Sequence, residues 1–148
     1  MSENDLLSGY FKELHAVARQ GDAREESFYP ALASFLQAFA DAAGHTHVRV
    51  TTLPKPTDAG NPDFRLWNGT DRIVGYVEAK KPSEERLDVI EESEQLKRYR
   101  ATFPNLILTN FCEFRLYRDG ELVQTVLAAR PFALTNLRTA TATEKAGE

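Results

Sequence analysis

An α/β fold, a mixed sheet flanked by helices, is what the order of hydrophobic periodicities in this chain predicts. Three observations carry it. The N-terminal third repeats its apolar side chains at helical spacing. The middle alternates apolar and polar residues with a period of two. A further helical stretch then precedes an almost wholly apolar segment, Leu106-Ile107-Leu108, as expected of a strand inside a covered sheet.

Residues 5–20 place Leu6, Leu7, Tyr10, Phe11, Leu14 and Val17 on one helical face, and Gly21-Asp22 ends the pattern. Residues 24–43 read as a second helix with Phe28, Leu32, Phe35, Leu36 and Phe39 as its stripe and Gly44 as its C-terminal cap. Pro30 has to lie in the first turns of that helix, since it lacks an N–H and crowds the preceding turn. Residues 47–53, with Val48, Val50, Thr51 and Thr52, read as a strand. A proline-rich loop runs from Pro54 to Pro62. Strands over 63–67 and 72–80 flank the turn signal Asn68-Gly69-Thr70-Asp71 and form a hairpin. After Pro82, residues 84–102 are predominantly helical with an irregular start, and Ile90, Leu96 and Tyr99 lie toward one side. Strand 105–109 follows. Segments 111–117 and 122–127 close a second hairpin around Arg118-Asp119-Gly120-Glu121. The order is α-α-β-β-β-α-β-β-β. The pattern fades from Arg130, so residues 1–138 are expected to form a single domain and 139–148 a polar tail or the start of a linker.

At 148 residues, with 42% apolar and 27% charged side chains, the chain suits one globular domain. No apolar run approaches the roughly 18–20 residues that span a bilayer. The acidic start Met1-Ser2-Glu3-Asn4-Asp5 is unlike a secretory signal. A cytoplasmic protein with no membrane partner is therefore expected. The single Cys112 excludes an internal disulfide and a thiolate-rich zinc site, and reads as a small core residue. His45 and His47 have no third nitrogen ligand in view and read as structural or exposed. The net charge of −4 argues against a protein that coats DNA. It leaves room for a catalytic domain held on DNA by its neighbours.

The chemistry lies in the first hairpin. Alternation puts Val74, Tyr76, Glu78 and Lys80 on one face of their strand and Ile73, Gly75, Val77 and Ala79 on the other. If Trp67 pairs near Arg72, Asp63 falls opposite Tyr76, diagonal to Glu78 and within reach of a shared ion. Two carboxylates of this kind can hold Mg²⁺, a hard cation that prefers oxygen ligands. The metal activates water and steadies the leaving oxygen of a phosphodiester, and a neighbouring lysine orients water or stabilises the transition state. The carbonyl of Ala79, between Glu78 and Lys80, is a natural extra ligand. A Glu-x-Lys triplet alone is uninformative. The run Ile73-Val74-Gly75-Tyr76-Val77 before it implies burial, where charge is costly unless paired or metal-bound.

Asn61-Pro62-Asp63-Phe64, then Gly75-Tyr76-Val77-Glu78-Ala79-Lys80-Lys81-Pro82, resembles the PD-(D/E)xK nucleases. Glu94-Gln95-Leu96-Lys97-Arg98-Tyr99 resembles the Gln-x-x-x-Tyr motif of several branches. Residues 105–111 and 114–117 are similar to the strands that follow it. The resemblance covers about residues 25–128. Within the superfamily, the run resembles the N-terminal nuclease domain of single-polypeptide restriction–modification enzymes, in which an adenine-specific DNA methyltransferase follows.

That resemblance implies a restriction-endonuclease-like core, double-stranded DNA as substrate and Mg²⁺ as cofactor, with Mn²⁺ able to substitute. Asp63, Glu78 and the Ala79 carbonyl would bind metal and Lys80 would be the catalytic lysine. Gln95 and Tyr99 would contact DNA or support the metal shell. An acidic residue on the first core helix often completes such sites; Glu26 is the leading candidate and Glu25 its rival. Lys80, Lys81, Lys97, Arg98 and Arg100 are candidates for the DNA path, although acidic residues from Glu84 to Glu94 would repel a backbone on that side. Two further readings stay open: the nuclease domain of an ATP-dependent translocating restriction subunit, and an inactive DNA-binding or assembly module of the same fold. The chain has no phosphate-binding glycine loop and no Asn-Pro-Pro-Tyr-like motif. Methyltransferase, target-recognition or helicase domains are therefore expected elsewhere in a longer protein, with a dimer on DNA as a further possibility.

Overall fold

The computed structural model describes residues 2–128. The expected tail, 139–148, and the last part of the expected 1–138 domain lie outside the described residues. Helix α1 spans Glu3–Arg19 and is opened by a capping box between Ser2 and Asp5. Its apolar stripe buries Leu6, Tyr10, Phe11 and Leu14. Helix α2 spans Tyr29–Ala42 and carries Pro30 in its first turn. The expected helix over 24–43 is shorter than predicted, because Glu25–Phe28 form a 3-10 turn instead. Pro30 explains this: an α-helix continued backward would drive the proline ring into the carbonyl of Glu26.

Among the described residues six strands form one sheet in sequence order: β1 (Arg49–Thr52), β2 (Phe64–Trp67), β3 (Ile73–Ala79), β4 (Asn105–Thr109), β5 (Glu113–Arg118) and β6 (Glu121–Leu127). All neighbours are antiparallel except β3 and β4, which run parallel. Parallel neighbours require a crossover. The crossover here contains one-turn α3 (Leu87–Ile90) and α4 (Glu94–Thr102). The stretch 84–102, expected to be predominantly helical with an irregular start, is divided into these two helices. Ser93 breaks it, accepting the Leu96 N–H at 3.2 Å as the N-cap of α4.

Helices cover both faces of the sheet. On one face, Tyr10, Phe11 and Leu14 of α1 and Tyr29 and Leu32 of α2 pack with Phe64, Val77 and Ala79. On the other, Leu96, Tyr99 and Phe103 pack with Tyr76, Leu106, Leu108 and Tyr117. Cys112 is a buried core residue. Strand β3 is not buried throughout: Ile73 and Val74 are exposed, and burial begins toward Tyr76. Its last residues, where the charges sit, are the most enclosed. No helix among the described residues is long and apolar enough to cross a membrane.

Candidate active site

The β2–β3 hairpin differs from the expected register by one residue at Trp67 and by two from Leu66 onward to Asp63. Trp67 pairs with Ile73, a bulge lies between Leu66 and Trp67, and Phe64 pairs with Val77. Asp63 therefore stands directly across from Glu78 rather than from Tyr76. A shift of two preserves the face, so the carboxylates still point the same way. The Asp63 N–H donates to the Val77 carbonyl at 3.1 Å. Its Oδ2 accepts the Ala79 N–H at 2.7 Å, which fixes one oxygen of the carboxylate.

Glu78 is 5% exposed. Its Oε2 lies 3.4 Å from Lys80 Nζ, and its Oε1 is buried with no hydrogen-bond partner among the described residues. Burial, and then the neighbouring Asp63 charge, push its carboxyl up to about 8, against a smaller opposing effect of Lys80. An enclosed carboxylate oxygen without a donor, beside a second carboxylate held by the main chain, suits a bound cation. The donor set Asp63, Glu78 and the Ala79 carbonyl is all oxygen, which fits Mg²⁺ or Mn²⁺ better than a softer metal.

Lys80 continues β3 toward β4, its N–H bonded to the Thr109 carbonyl at 2.8 Å. The chain beyond it is held by Asn110, whose Nδ2 donates to the Glu84 carbonyl at 2.6 Å. The Lys80 ammonium is thus anchored at its base and about a quarter exposed, at 27%.

Helix α4 fastens the loop that delivers Asp63. Arg98 Nε donates to the Ala59 carbonyl at 2.6 Å. Gly60 adopts φ +133, and a Cβ there would meet the Tyr99 hydroxyl at 3.0 Å, so the loop closes onto that ring only with glycine. Tyr99 is fully buried, which excludes direct contact between its ring and DNA. Burial, and then the charges of Glu78 and Asp63, push its hydroxyl up. Gln95 Nε2 reaches that hydroxyl at 3.4 Å. The Gln95/Tyr99 pair therefore sits against the loop that delivers Asp63.

Of the two acidic residues in the 3-10 turn, Glu26 is exposed and Glu25 is the one connected to the site. Tyr29 donates its hydroxyl to Glu25 Oε2 at 3.0 Å, and its ring sits 5.0 Å from that of Phe64. Burial, followed by the contact with Asp63, raises the Tyr29 hydroxyl well above the usual phenol range. Tyr29 and its link to Asp63 went unnoticed in the sequence. The i, i+4 spacing of Glu25 and Tyr29 was the available signal.

Among the basic candidates, Lys81 is exposed. Arg98 is engaged by Ala59, and Arg100 donates to the carbonyls of Gly120 and Glu91. Lys97 lies 3.7 Å from Glu92. Part of the acidic helix face is thereby neutralised, and these cations serve the fold before any ligand. Among the described residues no group of three or more His, Cys, Asp or Glu side chains forms a metal site. The candidate centre rests on two carboxylates.

Comparison with known proteins bears on the fold. The chain is similar to part of a chain in a cryo-EM structure described as a DrdV–DNA complex, with TM-score 0.68 and 23% identity. The match covers 93% of this chain and 14% of that one. No protein-family model matches the chain, and no curated protein matches it. The fold is the α/β, restriction-endonuclease-like arrangement that the sequence predicts, a mixed six-stranded sheet between helices.

Proposed function

We propose that this chain is a Mg²⁺-dependent endonuclease domain that hydrolyses DNA phosphodiester bonds in a restriction–modification system. The observation that supports this reading most is the buried, unpartnered Oε1 of Glu78, with Asp63 held opposite it and Lys80 beside it. The PD-(D/E)xK resemblance and the likeness to a chain solved in complex with DNA point the same way. The PD-(D/E)xK resemblance is the ground on which methyltransferase, target-recognition or helicase domains are proposed as this chain's partners in a longer protein.

Asp63 and Glu78, with the Ala79 carbonyl, would hold the metal. When bound, the metal supplies a more acidic water and positive charge at the leaving oxygen. Ala79 N–H keeps Asp63 from rotating away. Lys80 donates hydrogen bonds to the attacking water and to a non-bridging phosphate oxygen, where negative charge grows. Gln95 and Tyr99 hold the loop and the carboxylates in place. Glu25, rather than Glu26, is the acidic residue proposed to complement the centre, through Tyr29.

The test is cleavage of plasmid and linear duplex DNA with Mg²⁺ and with Mn²⁺, paired with calorimetric Mg²⁺ titration. Cleavage should vanish in Asp63→Ala and Lys80→Ala, and Mg²⁺ binding should vanish in Asp63→Ala. Undiminished cutting in either variant, or Mg²⁺ binding that ignores the carboxylates, would sink the reading.

A further inference from the structure

Strand β2 carries a second unsatisfied group on the face of the candidate site. Arg65 lies two residues from Asp63, so alternation turns both side chains to the same face. It pairs with Thr51 of β1 and Tyr76 of β3. The residue is only 9% exposed. Its guanidinium lies over the Trp67 ring at 4.0 Å, and Trp67 is itself pinned by donating Nε1–H to Thr51 Oγ1 at 2.9 Å.

Among the described residues this buried cation has no counter-charge. Arg65 is in none of the ion pairs among the described residues, and none of its N–H groups has an acceptor there. Nε is sealed from solvent and unpartnered. The Nη ends likewise have no acceptor among the described residues. A guanidinium so enclosed is costly to keep unpaired, and its flat fork is shaped to take two oxygens of one anion. Stacking on Trp67 holds that fork in one plane before any ligand arrives.

We propose that Arg65 is a binding residue for a DNA phosphodiester that flanks the one held at Asp63 and Glu78. Two strand residues span roughly 6.6 Å, and the guanidinium leans further along the strand, over Trp67. Arg65 thus takes a flanking phosphate rather than the one at the carboxylates, and sets the register of the cleaved strand. This rests on the nuclease reading and adds to it a cation outside the Asp63, Glu78 and Lys80 set.

The experiment measures binding of a short DNA duplex over a series of salt concentrations, in a Lys80→Ala background that does not cut. Arg65→Gln should weaken binding roughly tenfold and lower the salt slope by about one, as loss of one phosphate contact does. Arg65→Lys keeps the charge and loses the fork, so binding should weaken less with the slope unchanged. Melting curves establish that each variant is folded. If Arg65→Gln fails to fold, Arg65→Lys decides, and parental affinity there overturns the proposal. Parental affinity and slope in folded Arg65→Gln also overturn it. If the wild-type protein still cuts DNA with Mg²⁺ in that case, the nuclease reading stands without Arg65. If the wild-type protein neither cuts nor binds DNA, both fall together.

Discussion

Two enclosed carboxylate–cation groups in this molecule are built to opposite rules. Arg115 lies between Glu113, at 2.5 Å, and Glu91, at 3.1 Å, and Tyr117 donates its hydroxyl to Glu91. All three charged side chains are 17% or 18% exposed, and charge and hydrogen bonds close on one another. Glu78 and Lys80 are similarly enclosed, yet Glu78 keeps a buried oxygen with no donor. Glu78 also faces a like charge, Asp63, across the hairpin. The first group fastens the crossover to β5. The second holds open a valence at a cost in stability, as a site awaiting a cation would. What separates structure from candidate function here is how completely the local charges are satisfied.

The largest effect that would break this contrast is on cleavage. Asp63→Ala and Lys80→Ala should each lower DNA cleavage by about a thousandfold or more while melting within a few degrees of wild type. Arg115→Ala should leave cleavage per folded molecule unchanged. Reversal of these outcomes would mean the open and closed groups have been assigned the wrong way round.

The next test separates the groups by pH. Glu78 has its carboxyl raised to about 8 from 4.5 in the unfolded chain, chiefly by burial. A raised carboxyl makes the folded state bind more protons than the unfolded one. Stability of the metal-free protein should therefore be greatest below about pH 4.5 with respect to this group. It should fall as pH rises toward 8, by at most about 1.4 kcal/mol per unit. Glu78→Gln should flatten that slope in urea titrations across pH 5–8. Mg²⁺ should restore the wild type most at high pH and release protons on binding near neutrality. A Glu78→Gln variant with the wild-type pH slope would show that Glu78 is not the open valence.

Arg115→Ala addresses the closed group. It would leave the Glu91 and Glu113 carboxylates facing each other without their common cation. A loss of about 2–3 kcal/mol in denaturant unfolding is expected. Arg115→Lys should recover only part of it, since an ammonium cannot serve both carboxylates with the same fork.

Much of this was legible in the sequence because it depends on periodicity alone. Alternation places Asp63, Glu78 and Lys80 on one face whatever the hairpin register, provided the shift is even. The register itself was not legible, since the Leu66/Trp67 bulge leaves no mark in the residue types. The break at Ser93 was written as an N-cap residue inside a helical pattern, yet its neighbours fit a continuous helix equally well. Pro30 was recognised as a first-turn residue, but its consequence for Glu25 and Glu26 was not. Within that turn Glu26 is exposed, while Glu25 reaches the Tyr29 hydroxyl four residues on. Arg65 was invisible for another reason. An arginine in a strand is unremarkable until its lack of an acceptor can be seen.

Tyr29 lies between the two kinds of group, and its variant is expected to have the smallest effect. Its hydroxyl donates to Glu25, and the Asp63 carboxylate is among the groups that raise it. Tyr29→Phe keeps the ring against Phe64 and removes only that hydrogen bond. If Tyr29 merely supports the core, stability should fall by about 1 kcal/mol and Mg²⁺ affinity should not change. If it orients Asp63, Mg²⁺ affinity should fall roughly tenfold, the size of effect seen when a partner of a metal ligand is lost. Glu25→Gln should move affinity in the same direction, and exposed Glu26→Gln should leave it unchanged. Calorimetry on the three variants sets Glu25 against Glu26, and equal losses in both would show that the turn acts through net charge rather than through Tyr29.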